Sequence, residues 1–272
     1  MTKNLFFIGK GGVGKSTVSS LTALSFSSTK KVLLVSLDPA HNLSDIFNLN
    51  FSDKEKEVTP SLFVIEVDIK KKIKKYLQNI EDDLIKSNTS LSAFNLLNEF
   101  EIIKHSPGIE EYGLLMAWEE ITINQSDFDF IIFDMPPTAL TLKFFSLPTI
   151  SALWLNKLID LRERIKEKKE IVSRMKIGNT EIEKDKILDK LYKQKNKYEL
   201  IEEAFKDKSR TKILLVVNPE KLSINEGLNI IKEFENYKIS ISNILVNKSV
   251  IRQKQLQEFN DFTQINFPTT KS

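Results

Sequence analysis

Short apolar runs, each ended by a glycine, a proline or a polar residue, recur along the chain at 4–8, 31–36, 62–67, 128–133, 212–217 and 241–246. Branched and aromatic residues crowd them without the strict alternation of a half-exposed strand, which is the pattern of strands buried on both faces. Helical patterns separate most of these runs, beginning with Thr17 to Ser27. Strands alternating with helices predict an α/β fold, a doubly wound and mostly parallel sheet whose ligands sit at the carboxyl ends of the strands. Two gaps are too long for simple crossovers. Residues 68–126 read as several helices, with Lys70 to Leu84 amphipathic and a break at Ser106-Pro107-Gly108, and 148–208 read as a long pair of helices turning near Gly178-Asn179. The expected organisation is one domain over 1–272 with helical insertions at about 68–126 and 148–208, able to pack together as a helical subdomain.

The 272 residues are 41% hydrophobic and 28% charged, the balance of a globular chain long enough to bury a large core without disulfides. The cysteine count of zero excludes a thiol nucleophile, an iron–sulfur cluster and any zinc site of cysteine type. No uninterrupted apolar run approaches the length of a membrane span, and the first residues lack the layout of a signal peptide, so a cytoplasmic location is expected. A net charge of +3 is too small a surplus to argue for nucleic acid, and no nucleic-acid partner is expected. The basic excess gathers between Ser151 and Arg210, with 17 basic against 12 acidic residues, and reads as a solvated helical surface.

The first strand runs into Gly9-Lys10-Gly11-Gly12-Val13-Gly14-Lys15-Ser16-Thr17, which satisfies G-x-x-x-x-G-K-[ST] between a strand and a helix. Glycines let successive backbone N–H groups curl around phosphate oxygens, and the following helix adds the positive end of its dipole. Lys15 is then placed to reach the β- and γ-phosphates of ATP, and the Ser16 hydroxyl to ligate Mg2+. Two further segments follow strand ends, Asp38-Pro39-Ala40-His41-Asn42-Leu43-Ser44-Asp45 and Asp134-Met135-Pro136-Pro137-Thr138-Ala139-Leu140-Thr141-Leu142. Phosphoryl transfer needs a positioned water, a metal and neutralisation of the γ-phosphate. Asp134, closing the apolar run Phe-Ile-Ile-Phe-Asp, is the candidate to hold magnesium through water, and Asp38 the candidate to activate the attacking water. An Asp-Pro pair is also a common turn.

The form KGGVGKS resembles the deviant P-loop of a nucleotide-dependent dimerising ATPase class. That likeness implies a catalytic role for Lys10 across the interface of a homodimer, on phosphates bound by the partner. Read together, GKGGVGKST, LDPAHNLSDIF and DMPPTALTLKFFSLP are similar to the family containing the arsenical pump-driving ATPase (ArsA) and the targeting factor for tail-anchored membrane proteins. Ser106 to Glu111, Asn218-Pro219-Glu220-Lys221-Leu222-Ser223 and Ile244-Leu245-Val246-Asn247 extend the resemblance over most of the chain. It implies that Asp38 is the catalytic acid, that Glu220 lies by the nucleotide and that Asn247 hydrogen-bonds adenine.

The chain departs from that family in three ways. Ala139-Leu140 stands where the family has Gly-His; the stretch after Asn247, from Gln253 to Gln264, has no CxxC pair; and the chain stops soon after Phe267-Pro268, so an adenine-covering loop is expected to be short or missing. Leu147, Ile150, Leu153, Trp154, Leu158 and Leu161 form an apolar stripe at helical spacing, either a packed helix face or a surface for hydrophobic membrane-protein cargo. The leading expectation is a Mg-dependent ATPase cycling between open and closed dimers. The alternatives are a nucleotide-binding scaffold with little turnover, suggested by Ala139-Leu140, and a partitioning or positioning ATPase, against which the DPAHN segment speaks.

Overall fold

The computed structural model describes residues 2–40, 42–87, 108–125, 127–176, 185–250 and 255–269. His41, the Ser106-Pro107 part of the expected break, the turn near Gly178-Asn179 and the start of the 253–264 stretch lie outside the described residues. In chain order the elements are β1 (Lys3–Ile8), α1 (Lys15–Phe26), β2 (Val32–Ser36), α2 (Asn42–Phe47), β3 (Lys56–Thr59), β4 (Leu62–Glu66), α3 (Ile69–Ser87) and α4 (Ile109–Asn124). They continue with β5 (Phe130–Asp134), α5 (Thr138–Lys176), α6 (Lys186–Lys206), β6 (Thr211–Val217), α7 (Lys221–Asn236), β7 (Asn243–Ser249), a 3-10 turn (Gln257–Phe259) and β8 (Gln264–Pro268).

Eight strands form one sheet in the order β3-β4-β2-β5-β1-β6-β7-β8. All neighbours are parallel except β3, which runs antiparallel to β4. The fold is the mixed α/β architecture that the alternation of runs and helices predicts. In the middle of the sheet β2 is wholly buried and β5 nearly so, since helices cover both faces and leave no side of the pleat for polar side chains. One face gathers Leu5, Phe7, Leu34, Val64, Ile132, Leu214 and Val216 against Val18 and Ala23 of α1. On β1 the intervening Phe6 stacks on Phe133, with ring centroids 4.9 Å apart. The two edge strands, β3 and β8, escape the sequence pattern because they are short and half exposed, with the outward charges of Lys56 and Glu57.

The chain divides into two compact units, residues 1–144 with 208–272, and residues 145–207. In the first unit α3 is amphipathic as expected: Ile73 and Leu77 are buried while Lys70, Lys71, Lys74 and Lys75 face outward. It packs on α4, where Gly113 leaves room for Ile69 and Ile73, and Tyr76 meets Tyr112 at 5.1 Å. In the second unit Phe145 and Phe205 stack edge to face at 4.9 Å. Asp185 caps α6 by accepting from the N–H groups of Ile187 and Leu188, and Arg162 Nε donates to it at 2.8 Å.

Helix α5 corrects two expectations. It runs through Pro148 rather than starting there. A proline forfeits one helical hydrogen bond, but Phe144, Phe145 and Ala152 are buried on either side and hold the helix in place. Its stretch from Thr138 to Lys168 is also long and apolar enough to cross a membrane by length and composition alone. Serines and threonines break the apolar residues into short groups, which hides this in a search for uninterrupted runs.

Candidate functional site

The carboxyl ends of β1, β2, β4, β5, β6 and β7 point to one edge of the sheet, and the sequence-predicted residues gather there. After β1 the chain must reverse within a few residues and enter α1. Gly9, Gly12 and Gly14 adopt φ of +148°, +83° and +87°, conformations that cost a side-chain-bearing residue heavily. Two of these glycines are also crowded. A Cβ on Gly9 would strike the Val216 carbonyl oxygen, and one on Gly14 would strike the Asn247 amide nitrogen. Gly14 caps α1 in the left-handed conformation, with its carbonyl accepting from Val18 N–H at 3.0 Å. Val13 is buried beneath the loop, and Gly11 and Gly12 are exposed above it.

Lys15 and Ser16, the first residues of α1, are both buried. The Lys15 ammonium donates to the Lys10 carbonyl at 3.4 Å, so it lies across the mouth of the loop where phosphate oxygens would compete for it. Thr17 faces outward on α1. Asn247 Nδ2 donates to the Val13 carbonyl at 2.8 Å, which fastens β7 to the underside of the phosphate loop. The pairing of β7 with β8 shifts register between Asn247 and Ser249, and Lys248 takes φ +54°; such a bulge re-aims the neighbouring side chain. Glu220 sits exposed at the N-cap of α7, with no side-chain hydrogen bond or ion pair to the loop among the described residues.

Asp134, the last residue of β5, pairs in register with Ser36 and Phe7 in the neighbouring strands. Its side chain is fully buried, and neither carboxylate oxygen has a hydrogen-bond partner among the described residues. Burial dominates its titration and pushes the carboxyl up from 3.8 to about 7. The nearby Ser16 hydroxyl and Lys15 ammonium pull it back, short of a well-formed hydrogen bond, while the charges of Asp38 and Glu66 push it further up. Asp38 is buried two residues past β2, where Oδ1 accepts from the Ala40 N–H at 3.0 Å in a tight turn. The Asp-Pro turn and the buried acid whose charge acts on Asp134 are therefore the same feature.

Two acids escaped the sequence reading. Glu66, at the end of β4, is buried and accepts from both the N–H (3.0 Å) and the hydroxyl (2.7 Å) of Ser44, anchoring the start of α2. Ser44 Oγ in turn accepts from the Phe51 N–H. Glu226, on α7, forms an ion pair with Lys10 at 3.1 Å and accepts from the Thr138 hydroxyl at 3.2 Å. Neither lies in a motif, and a single Glu in a strand or helix carries no signal of its partners. Ala139 and Leu140 fall in the first turn of α5 with ordinary helical geometry, so the missing glycine strains nothing here.

A loop of backbone donors, a buried lysine, a buried hydroxyl and acids converging on them can bind a polyphosphate with a hard cation. No group of three or more His, Asp or Glu side chains among the described residues makes a protein cage for a metal. Magnesium in nucleotide sites keeps water and phosphate oxygens as most of its ligands and takes only one or two from protein. The Ser16 hydroxyl and the unpartnered oxygens of Asp134 are of the right chemistry for it.

Residues 2–266 match the family model described as anion-transporting ATPase. The chain is 32% identical over 260 residues to the putative arsenical pump-driving ATPase 2 of Aquifex aeolicus, with 93% of this chain and 82% of that protein covered. It is 33% identical over 259 residues to an ATPase ASNA1 homolog of Entamoeba dispar (90% and 76% covered) and 32% identical over 252 residues to ATPase GET3A of Arabidopsis thaliana (90% and 67% covered). With the phosphate loop and its converging acids on one sheet edge, these matches establish that the chain belongs to the anion-transporting ATPase family and is an ATPase.

Proposed function

We propose that this chain is a magnesium-dependent ATPase whose nucleotide cycle opens and closes a homodimer and so controls the handling of a hydrophobic membrane-protein cargo. The observation that carries the reading is the buried, unpartnered carboxylate of Asp134 beside Ser16 and Lys15. A charge buried without a partner is costly, and sites that tolerate one are commonly built for a ligand that supplies the missing contact. In this reading Lys15 and the loop N–H groups bind the phosphates, with Gly9, Gly11, Gly12, Val13, Gly14, Ser16 and Thr17 forming the cradle. Ser16 and Asp134 hold Mg2+, which neutralises phosphate charge when bound. Asp38 takes the proton of the attacking water, and Lys10 contributes a second positive charge at the phosphates of the partner. Asn247 and Glu220 lie on the base side of the nucleotide. The whole chain works as one ATPase domain carrying helical insertions.

Exposed Ile150, Leu153, Trp154 and Leu161 on α5 support the cargo half of the proposal, since more than half of each side chain's surface is open to solvent. Scattered apolar residues are ordinary on surfaces, but four within three turns of one helix form a patch. The test is phosphate release by the purified protein with ATP and Mg2+, alongside its mass in solution with ADP and with a slowly hydrolysed ATP analogue. Turnover together with an analogue-favoured dimer is expected. Binding without turnover, or a mass that ignores the nucleotide, would refute the cycle.

A further inference from the structure

Lys10 stands in the exposed arc of the phosphate loop, next to two glycines and on a flexible four-carbon stem. Left alone, its ammonium would sweep solvent. Instead it meets Glu226 Oε2 at 3.1 Å, and the other oxygen of that carboxylate accepts from the Thr138 hydroxyl at 3.2 Å. Thr138 opens α5, four residues beyond Asp134. One carboxylate thus joins the phosphate loop, the segment after β5 and helix α7.

The position of Glu226 is itself fixed by packing. Its neighbour Gly227 lies so close to β6 and the 3-10 turn that a Cβ there would come within 3.0 Å of Val217 Cγ1 and 3.1 Å of Phe259 Cζ. Ile224, Ile230, Ile231 and Phe234 are buried on the same helix. The helix therefore cannot slide along the sheet, and the Glu226 carboxylate is presented to the loop from a rigid support. We infer that Glu226 is a positioning residue for ATP hydrolysis: it aims the Lys10 ammonium at the phosphates and couples that lysine to the segment that carries Asp134 and Thr138. An ammonium has three donors, so a bond to Glu226 leaves two for phosphate oxygens. The inference rests on the proposed role of Lys10 at the phosphates.

Steady-state kinetics of the full chain with ATP and Mg2+ test it. Glu226→Gln keeps shape but has no charge and only one acceptor oxygen, so it loses the ion pair and cannot accept from Thr138 and Lys10 through separate oxygens. It is expected to lower kcat on the order of tenfold with KM for ATP within about twofold, the signature of a misplaced group rather than lost substrate binding. Thermal melting should be unchanged, because a half-exposed ion pair adds little to stability. In a Lys10→Ala background the same substitution should change kcat by less than about twofold, since the two side chains act as one unit. Thr138→Val, which removes only the second bond, should give a smaller loss than Glu226→Gln.

Wild-type or raised kcat in Glu226→Gln, beside an impaired Lys10→Ala, would overturn the positioning role and leave the role of Lys10 standing. Losses that simply add in the double variant would overturn it as well. Wild-type turnover in Lys10→Ala would instead overturn the reading of Lys10 on which the inference rests.

Discussion

Asp134→Asn should make the protein more stable without nucleotide while abolishing its hydrolysis of ATP. The carboxylate is fully buried, has no hydrogen-bond partner for either oxygen, and is pushed up from 3.8 to about 7 chiefly by burial. In the unfolded chain it titrates near 3.8; in the folded protein it stays protonated until about pH 7. Between those values the folded state binds the extra proton, so stability is fully present below pH 3.8 and is lost as pH rises through about 7. At about 1.4 kcal/mol for each tenfold in proton concentration, the whole window is worth about 4 kcal/mol. Relaxation of the site and entry of water lower this, and about 1–3 kcal/mol is the expected gain for the neutral amide at pH 8.

Urea denaturation in EDTA, without nucleotide, at pH 5 and pH 8 reads this directly. The wild type should lose more stability than Asp134→Asn between the two pH values, and the variants should converge at the acid end. Using the difference between the two proteins cancels the titration of every other group. An equal pH dependence in both, or an Asp134→Asn protein less stable than wild type at pH 8, would refute the claim that this carboxylate is strained for function.

Asp38→Asn should keep ATP binding and lose about 10²- to 10⁴-fold in turnover, the range for removing a general base, as measured by phosphate release beside nucleotide titration. Gly14→Ala should cost about 1–3 kcal/mol for the left-handed backbone alone, and more from the collision with Asn247, seen as a lower denaturation midpoint and weaker ATP binding. Lys10→Ala should weaken ATP-dependent dimerisation, and sedimentation showing the same dimer with and without that lysine would contradict the cross-interface role. In the second unit, Arg162 and the α6 N–H groups hold the Asp185 carboxyl below its ordinary value. The stability it adds is present above the ordinary carboxylate range and is lost as pH falls through its lowered value. Asp185→Ala should therefore reduce the melting temperature at neutral pH and converge with wild type in acid.

The centre of the sheet was legible because its physics is one-dimensional: a strand buried on both faces is apolar along its middle, and β1, β2, β4, β5 and β6 each carry such a run, with polar residues confined to their ends. The edges obey a different rule. β3 pairs on one side only and carries Lys56 and Glu57, so its residues look like a loop until β4 is beside them. Helix α5 begins ten residues before the expected bound at Pro148 for a related reason, since the burial of Phe144 and Phe145 that holds its first turns is not displayed by sequence.

The site divides along the same line. Glycines with positive φ, a lysine and a serine after a strand form a contiguous string, because a phosphate loop is made by one turn of chain. The acids around it come from β2, β4, β5 and α7, separated by up to 188 residues, and only those beside a proline or closing an apolar strand announced themselves. Glu66 and Glu226 did not, yet each is the partner of a residue that did: Glu66 holds Ser44 after Asp38, and Glu226 holds Lys10 and Thr138. The difference follows from what each acid is bonded to. Glu66 and Glu226 have their oxygens occupied by protein donors and are stable as they stand, whereas the Asp134 oxygens have none. Three buried acids, Asp38, Glu66 and Asp134, share this edge with one buried cation, Lys15. Such a balance favours arrival of positive charge, and the phosphate loop opposite favours negative charge. A polyphosphate accompanied by a hard cation would carry both, and the acid left unsatisfied, Asp134, is the one beside Ser16.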